Sequence, residues 1–329
     1  MTPGKIRVSI GTAAALGLTD YKQDVEPTTA YLMTYTEGSC IANCAFCAQA
    51  RESASERSLL SRVMWPVFET ERMLRGLREQ SGPITRICLQ VINYPGFLDD
   101  VLALLKAIKE TTSLPVSLDT CPVAEDDLER LKSAGVERIS IPLDAATPGL
   151  FDEVKGRSAK GPYLWESHME TLRRALEVFG PGNVMTNLIV GLGETEEEAV
   201  KLIQRLMDMN VRAVLFAFTP LPKTRLSKRP QPPLDSYRQI QLARYIIVEC
   251  MGRYEDMGFD GDGKLTGFGD IDVKRAIGDG EPFRTTGCPG CNRPFFNERP
   301  SGPFYNYPRA LTPEELEREA RLIGVDLNE

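Results

Sequence analysis

Histidine is almost absent from this chain of 329 residues, which contains a single one, His168. Sites built from several imidazoles are therefore excluded. Positive charge is also scarce, because 39 Lys and Arg face 46 Asp and Glu, and this argues against nucleic acid binding as the main activity. No apolar run approaches the roughly 18 to 20 residues that span a bilayer, and the N-terminus lacks a convincing secretory signal. The sequence predicts a soluble, cytoplasmic protein that contacts neither membrane nor nucleic acid.

Cysteine, by contrast, is abundant. In a cytoplasmic protein, grouped thiols indicate metal binding rather than disulfide bonds. Five of the eight cysteines fall into two tight groups, and the other three stand alone. The first group is Cys40, Cys44 and Cys47, the second is Cys288 and Cys291, and the isolated residues are Cys88, Cys121 and Cys250. With one histidine available, thiolate ligands must dominate any metal site.

Apolar stretches alternate with helical patterns along the chain, which predicts a parallel sheet covered on both faces. Eight strand and helix repeats predict a TIM-type (β/α)8 barrel. Because residues 257–269 are rich in glycine, an incomplete (β/α)6 barrel is the alternative. Residues 1–287 would form the barrel, and residues 288–329 a C-terminal extension of the same domain. The predicted strands are 28–36, 84–92, 115–119, 138–144, 183–191, 212–220, 263–269 and 281–287, and the predicted helices are 65–80, 97–110, 124–134, 147–155, 163–179, 195–209, 235–253 and 271–277.

The first cysteine group has the spacing Cys-x3-Cys-x2-Cys and directly follows the first predicted strand. Three thiolates suit three irons of a 4Fe-4S cluster and leave the fourth iron open. A structural zinc ion usually takes four ligands, and no fourth Cys or His lies nearby in the sequence. With the aromatic residue Phe46 before the third cysteine, this motif resembles the signature of the radical S-adenosylmethionine (SAM) superfamily.

The resemblance implies that SAM binds the open iron through its amino and carboxylate groups. One-electron reduction, from a donor such as ferredoxin, would cleave SAM to methionine and a 5'-deoxyadenosyl radical that removes hydrogen from an unactivated carbon. The cofactors would carry this chemistry, while the barrel positions and shields them. No side chain beyond the cluster ligands is assigned a catalytic role.

By the same resemblance Phe46 is expected to contact the cofactor, and four further residues resemble SAM contacts of this superfamily. The stretch 187–195 is similar to a superfamily motif in which Ile189 would pack on adenine and Glu194 would close the motif. Asp144 stands where biotin synthase contacts the SAM ribose, and His168 where that enzyme binds the SAM carboxylate with an arginine. Each residue also has an ordinary interpretation: strand core for Ile189, a first-turn acid for Glu194, a turn residue for Asp144 and a solvent-facing position for His168.

The second cysteine group directly follows the last predicted strand, so it is expected at the same barrel mouth as the first. We expect an auxiliary 4Fe-4S cluster held by Cys288, Cys291 and Cys121. Cys88 or an oxygen such as Ser301 is the candidate fourth ligand. A zinc knuckle or a redox pair is the alternative for the C-terminal thiols, and Cys121 could instead be a small apolar core residue.

Biotin synthase resembles this sequence across about residues 30–290, but its auxiliary-cluster ligands do not carry over. Ser117 and Met185 stand where that enzyme has cysteines, and Cys88 alone matches. Biotin synthesis is therefore not expected. Two stretches look more similar to the biotin-synthase-like subunits of the archaeal-type two-component lipoyl synthase, namely 37–53 and 285–309.

This resemblance implies a sulfurtransferase that inserts sulfur into a protein-bound octanoyl chain, with a sacrificial auxiliary 4Fe-4S cluster as the sulfur source. The octanoyl chain would be carried by a lipoyl domain or the glycine-cleavage H protein, and a sister radical SAM subunit would install the other sulfur. A carbon-skeleton isomerase or methyltransferase of the biotin synthase and methylornithine synthase type is the alternative, and a non-catalytic iron–sulfur or zinc protein is another. A candidate docking patch for an acidic carrier is Lys223, Arg225, Lys228 and Arg229.

Overall fold

The computed structural model describes residues 1–80 and 82–327, and one large sheet with flanking helices dominates it. Besides the strands and α-helices given below, there are two short 3-10 helices, Tyr254–Asp256 and Glu281–Phe283. The strands are β1 (Lys5–Val8), β2 (Thr29–Met33), β3 (Leu59–Leu60), β4 (Val63–Met64), β5 (Val67–Glu69), β6 (Arg86–Gln90), β7 (Val116–Asp119), β8 (Val136–Ser140), β9 (Val184–Val190), β10 (Arg212–Ala217), β11 (Gly258–Phe259) and β12 (Leu265–Gly267). The helices are α1 (Ile10–Ala15), α2 (Thr70–Glu79), α3 (Phe97–Thr111), α4 (Glu125–Ser133), α5 (Pro148–Val154), α6 (Trp165–Phe179), α7 (Glu196–Asp208), α8 (Leu234–Val248), α9 (Val273–Ile277) and α10 (Pro313–Leu322).

The large sheet has the strand order β10-β9-β8-β7-β6-β2-β1-β5. Six of its strands pair in parallel with one another, namely β2, β6, β7, β8, β9 and β10. Strand β1 pairs antiparallel with both β2 and β5. Each parallel connection carries at least one helix, as parallel pairing requires. The six parallel strands form an incomplete barrel, so the six-unit alternative is confirmed.

The predicted eight-unit barrel is wrong, because the last two predicted strands do not join the sheet. Residues Leu265–Gly267 pair antiparallel with β11 in a separate two-stranded ribbon. Residues Glu281–Phe283 form a 3-10 helix that contains Pro282. Proline cannot donate to a strand ladder, and glycine-rich sequence weakens a strand interior, which explains both departures.

The six predicted central strands are confirmed by the structure, as β2 and β6 to β10. They are largely apolar and buried. Every residue of β2 is buried, and Ile87 and Leu89 of β6 and Ile139 of β8 are fully buried. The flanking helices are amphipathic, and α7 begins at the predicted capping box, in which Thr195 and Glu198 bond each other's backbone N–H. Burial of these strand faces is the main stabilising contribution to the barrel.

The helix predicted at 65–80 is correct only in its second part. Residues Val67–Glu69 form β5, which pairs with β1 in the register Lys5↔Glu69, and the helix begins at Thr70. Pro66 therefore precedes an edge strand instead of opening a helix, a position that proline tolerates. Within the described residues, no helix is long and apolar enough to cross a bilayer.

The open side of the barrel is filled by a stretch without regular structure, residues 284–298, which we call the closing segment. It follows β10 first, because Thr286 Oγ1 accepts a hydrogen bond of 2.9 Å from the Leu215 N–H. Further along, Asn297 Nδ2 donates to the Ala217 carbonyl at 2.9 Å. These side chains satisfy backbone groups on the edge of the last parallel strand, where a seventh strand would otherwise pair.

Between these two contacts with β10, the closing segment crosses to the first parallel strand. Asn292 Oδ1 accepts a hydrogen bond of 3.0 Å from the Thr28 N–H, and the Arg293 N–H donates to the Tyr31 hydroxyl at 2.8 Å. The segment thus joins β10 to β2 and closes the barrel with side-chain hydrogen bonds instead of a strand ladder.

The chain beyond the closing segment is anchored through Arg238 of α8, whose side chain is fully buried. Its Nε lies 2.8 Å from Glu319 Oε2 on α10, and its Nη1 donates to the Tyr305 carbonyl at 2.7 Å. Its Nη2 donates to the Phe304 carbonyl. A buried ion pair is stable only when its remaining donors are satisfied, and this one ties the C-terminal helix to the barrel wall.

Candidate active site

The carboxyl ends of the parallel strands surround a cavity of about 240 Å³. In barrels of this kind, functional side chains gather at this end of the strands. The loop after β2 forms one wall, and the last residues of the strands form the floor and the opposite wall. The parallel strands contribute these residues to the cavity lining: Met33, Gln90, Asp119, Asn187, Ile189, Phe216 and Ala217.

Cys40, Cys44 and Cys47, which we call the mouth thiols, all line this cavity, as the motif predicted. Their loop is fixed on both sides by hydrogen bonds. Asn43 lies between the first two cysteines, and its Nδ2 donates to the Ala159 carbonyl at 2.8 Å. The same side chain also bonds Glu52 within the loop. The three thiols are therefore presented to the cavity by a rigid turn.

The mouth thiols fit the donor set of an iron–sulfur cluster. Burial raises the pKa of Cys40 and Cys44 above the ordinary thiol value and that of Cys47 to about 12. A thiolate at these buried positions is stabilised by nearby positive charge, which bound iron would supply. Among residues 1–80 and 82–327, no three Cys, His, Asp or Glu side chains converge to hold a single metal ion. A cluster binds each thiolate through a different iron, so it needs thiols around a cavity and not at one point.

Three of the five predicted SAM contacts, Phe46, Asp144 and Ile189, line the cavity. Asp144 follows β8 in the left-handed region with φ 67°, and its backbone is held against β9. Its N–H donates to the Asn187 carbonyl, and its carbonyl accepts from the Ile189 N–H, both at 2.8 Å. The carboxylate thus stands at a fixed point beside the mouth thiols.

Glu194 does not line the cavity, which corrects its assignment as a cofactor contact. Its carboxylate accepts hydrogen bonds from the N–H groups of Gly191 at 2.5 Å, and of Leu192 and Gly193 at 3.1 Å. Both glycines have positive φ, so the turn needs them. Burial raises the pKa of Glu194, while these backbone donors oppose that effect. The residue closes the turn after β9.

His168 does not reach the cavity, so the prediction that it binds the SAM carboxylate is wrong. Its ring is fully buried, 4.9 Å from the ring of Phe151 and 5.1 Å from that of Tyr163. Nδ1 lies 3.0 Å from the Leu164 carbonyl of the preceding turn. Burial, helped by the nearby charge of Lys155, lowers the pKa of His168 to about 3. The imidazole is neutral and belongs to an aromatic cluster behind the cavity wall.

Lys155 is a cavity residue that the sequence analysis missed. It lines the cavity but is only 4% exposed, and its Nζ lies 2.6 Å from Asp144 Oδ2 and 2.5 Å from the Pro142 carbonyl. Burial opposes its charge, but Asp144 and Cys44 together raise its pKa above the ordinary lysine value. A lone lysine at the end of a short helix gives no sequence signal, and only the fold places this cation beside the mouth thiols.

A polar pair forms part of the cavity floor. Asn187 Nδ2 donates to Asp119 Oδ2 at 2.9 Å, and both residues line the cavity. Burial raises the pKa of Asp119 to about 7, although the bond from Asn187 lowers it. The Asn187 amide thus adds a hydrogen-bond donor to the floor. The sequence analysis assigned no role to this carboxyl group.

Cys121 lines the cavity, but it lies with the mouth thiols and not with the C-terminal cysteines. Burial raises its pKa to about 11, and the groups whose charges or hydrogen bonds act on it are Thr120, Cys40, Lys155 and Tyr163. The structure therefore does not place this thiol beside Cys288 and Cys291, and its expected role as their partner is corrected.

Cys88, Cys288 and Cys291 lie deeper in the barrel, and we call them the interior thiols. Tyr31 and Ser117 are the register partners of Cys88 on the two adjacent strands. Cys291 Sγ lies 3.3 Å from the Tyr31 hydroxyl, and Cys288 Sγ lies 3.0 Å from Ser117 Oγ. The closing segment therefore places its two thiols over the strands on either side of Cys88. Burial raises the pKa of Cys88, and Cys288 and Cys291 add to this effect.

Two further positions define the surroundings of the interior thiols. Cys288 Sγ lies 4.0 Å from Met185 Sδ as well as against Ser117. These are the two positions at which the resemblance to biotin synthase places cysteines, so a thiol of the closing segment contacts both. Ser301, the predicted oxygen ligand, is exposed.

The interior thiols lie one layer beneath the cavity floor. Residues two apart on a strand face the same side of a sheet and are about 7 Å apart. The row of register partners containing Cys88 is Tyr31, Cys88 and Ser117, and the row two residues further along is Met33, Gln90 and Asp119. The second row lines the cavity, so the two thiol groups lie at different depths of the same barrel interior.

The family model of the Radical SAM superfamily matches residues 36–206, more than half of the chain. The chain therefore belongs to the radical SAM superfamily. It is 28% identical over 225 residues to the biotin synthase of Clostridium acetobutylicum, an alignment that covers 66% of this chain and 65% of that protein. It is 26% identical over 246 residues to the biotin synthase of a Sulfurihydrogenibium species, with 70% of each chain covered. It is thus a radical SAM enzyme related to biotin synthase.

Two solved structures share the fold. The structure of methylornithine synthase aligns with a TM-score of 0.51 and 15% identity, covering 73% of this chain and 67% of that protein. The hydrogenase maturase HydG aligns with a TM-score of 0.51 and 15% identity, covering 68% of this chain and 50% of that protein. At these identities, the similarity defines the architecture.

Proposed function

We propose that this radical SAM enzyme inserts sulfur into an unactivated C–H bond of a protein-bound octanoyl chain, as one component of a two-component lipoyl synthase. The observation that carries the proposal is the position of the interior thiols one layer beneath a cavity lined by the mouth thiols. A radical enzyme that only isomerises or methylates its substrate does not need a second thiol group at this depth. A sulfur-inserting enzyme needs a sulfur source within reach of the substrate.

The mouth thiols would hold the SAM-binding 4Fe-4S cluster. Lys155 is positioned to pair with the SAM carboxylate, in place of the buried His168, and Asp144 to accept hydrogen bonds from the ribose. Ile189 and Phe46 offer apolar surface on the same cavity wall. When bound, these cofactors and the auxiliary cluster supply the radical that removes hydrogen and the sulfur that replaces it.

The interior thiols would hold the auxiliary cluster in the closed barrel. Tyr31 supports Cys291 in particular, because its oxygen accepts the Arg293 N–H and leaves its own proton free for the sulfur 3.3 Å away. A phenol donor stabilises a thiolate. Ser117, 3.0 Å from Cys288, supplies a hydroxyl oxygen on the adjacent strand.

The remaining cavity wall suits a hydrocarbon chain. Each buried CH2 group contributes about 0.8 kcal/mol to binding when it leaves water. The floor row between the two thiol groups combines Met33 with the polar Gln90 and Asp119. The apolar side chains that line this part of the cavity include Met33, Ile92, Phe216, Phe218 and Phe296.

The proposed partners are an octanoylated lipoyl domain or H protein, a sister radical SAM subunit and an electron donor such as ferredoxin. The loop after β10 offers four exposed cations for an acidic carrier, of which Arg225 also donates to the Asn43 carbonyl of the mouth-thiol loop at 2.7 Å. A carrier bound at this loop would therefore lie beside the cavity entrance. A cytoplasmic location accords with thiol-held clusters, which an oxidising compartment would endanger.

The test is anaerobic reconstitution of the native chain and of a Cys288→Ala/Cys291→Ala variant, with iron counting, SAM cleavage and incubation with octanoylated H protein. We expect about eight irons in the native chain and about four in the variant. Both should cleave SAM, and the native chain alone should give a thiolated carrier by mass spectrometry. Cys250→Ala is the matched control, because Cys250 is exposed at the end of α8.

Two results would contradict the proposal. About four irons in both proteins would exclude the auxiliary cluster. Eight irons with no thiolation by either the chain or the chain plus its sister subunit would favour an isomerase or methyltransferase whose second cluster relays electrons.

A further inference from the structure

Arg293 of the closing segment is a buried guanidinium with unused donors. The residue is only 7% exposed, and its Nε and Nη1 have no hydrogen-bond partner within the described residues. Only its Nη2 is satisfied, by the carbonyls of Thr286 at 2.6 Å and Leu215 at 3.4 Å. Leaving a buried charge without partners costs several kcal/mol. Such a group therefore indicates an acceptor that the protein atoms alone do not provide.

The guanidinium is held in one orientation. Its Cζ lies 3.9 Å from the centre of the Phe216 ring, so the planar group stacks on a residue of the cavity wall. The Arg293 backbone has φ 33°, in the left-handed region, and its N–H is fixed to the Tyr31 hydroxyl. A stacked arginine loses little entropy when its remaining donors find an acceptor.

Arg293 belongs to the same closing segment as Cys288 and Cys291 and follows Cys291 by two residues. The Tyr31 hydroxyl joins the Arg293 N–H to Cys291 Sγ, which is 3.3 Å from it. The Arg293 charge also opposes the burial that raises the pKa of Cys88. The guanidinium thus stacks on the cavity-wall residue Phe216, while the backbone of the same residue is tied through Tyr31 to an interior thiol. An octanoyl chain carries no negative charge, so it does not supply the missing acceptor.

We propose that Arg293 donates hydrogen bonds from Nε and Nη1 to sulfur atoms of an iron–sulfur cluster held by Cys88, Cys288 and Cys291. The inference rests on the proposed function, since it requires that cluster. Arg293 is a positioning residue: its charge offsets the negative charge of the cluster inside the barrel and makes an added electron easier to accommodate. Reduction potentials of such clusters depend on net charge and on hydrogen bonds to sulfur.

The test is a potentiometric titration followed by electron paramagnetic resonance on the reconstituted full chain. Arg293→Met should shift the interior cluster to a more negative potential by about 59 mV, which is tenfold in its reduced-to-oxidised ratio for a one-electron couple. Arg293→Lys keeps the charge and should shift it less. The mouth cluster, recognised because SAM changes its spectrum, should keep its potential and acts as the internal reference.

The matched control is Arg244→Met. Arg244 is a second buried arginine that donates to β10, from Nε to the Ala213 carbonyl at 2.7 Å, two residues before the carbonyl bound by Arg293. If both methionine variants shift the interior cluster equally, or neither does, the inference is overturned. Loss of the interior irons in Arg293→Met alone supports it. A native chain with only the mouth cluster contradicts the proposed function itself and is distinguishable by its iron count.

Discussion

The mouth thiols and the interior thiols are built in opposite ways. The first group lies within eight residues of one loop, so its spacing is written in the local sequence. The second group joins Cys88 of β6 to Cys288 and Cys291 of the closing segment, about 200 residues later. A local motif can be recognised before the fold is known. A site assembled across the barrel depends on which elements the fold brings together.

The two groups also differ in what holds them. The mouth loop is fixed by bonds such as that from Asn43 to the Ala159 carbonyl, close to the helix ends of the barrel. The interior thiols depend on an irregular segment whose hydrogen bonds are largely made by side chains, including Thr286, Asn292 and Asn297. The interior site should therefore be the more sensitive to changes in the C-terminal chain.

The largest expected effect is the loss of one complete cluster. Cys88→Ala should reduce the iron of the reconstituted protein from about eight to about four and abolish sulfur insertion, while SAM cleavage continues. Cys121→Ala should retain about eight irons, because Cys121 lies at the mouth and not with the interior thiols. Iron and sulfide assays on both variants, with Cys250→Ala as control, measure the difference. The reverse pattern would restore Cys121 as a ligand.

A smaller effect is expected from the buried anchor of the C-terminal helix. Glu319→Ala leaves the buried charge of Arg238 without its carboxylate and should lower the free energy of unfolding by about 3 to 5 kcal/mol, as measured by urea denaturation of the cluster-free protein. Glu317→Ala breaks only the exposed pair with Arg321 and should cost less than about 1 kcal/mol.

The ion pair between Arg238 and Glu319 also tests whether the interior thiols depend more on the C-terminal chain than the mouth thiols do. In the reconstituted protein, Glu319→Ala should release interior iron at lower urea than mouth iron. Simultaneous release in this variant would show that the closing segment does not act as a separate element.

The smallest effect concerns His168, the chain's single histidine. Its imidazole should not titrate between pH 8 and about pH 4 in the cluster-free protein, because its folded pKa is about 3. Since the unfolded value is about 6.5, the unfolded state binds the extra proton, and the native state loses roughly 2 to 3 kcal/mol as the pH falls from 6.5 to 4.

Proton NMR gives an unambiguous readout for His168, since a single histidine contributes signals. The stability of His168→Phe should lack this part of the pH dependence. An imidazole that titrates near pH 6.5, or that shifts when SAM is added, would place His168 at the cavity after all.

The sequence allowed the six parallel strands to be predicted because each is a short apolar run bounded by turns and followed by an amphipathic helix. It failed at one end of the sheet, where β1 and β5 pair antiparallel. Strand β1 was not predicted, and Pro66 was interpreted as the start of a helix although it precedes β5. Strand β5 is a three-residue edge strand with two exposed residues, so it carries little apolar pattern. Strand β1 has only four residues, too few to show a clear period.

What the sequence alone determined is therefore local: the radical SAM cysteine motif, the parallel strands and the second cysteine pair. Tertiary structure decided the partners. It placed Cys88, and not Cys121, beside Cys288 and Cys291, buried His168 among aromatic rings and placed Lys155 beside Asp144. The physical reason is that contacts between distant segments depend on strand register and on how an open barrel is closed. In this chain the closure is made by irregular backbone, which has no periodic pattern to reveal it.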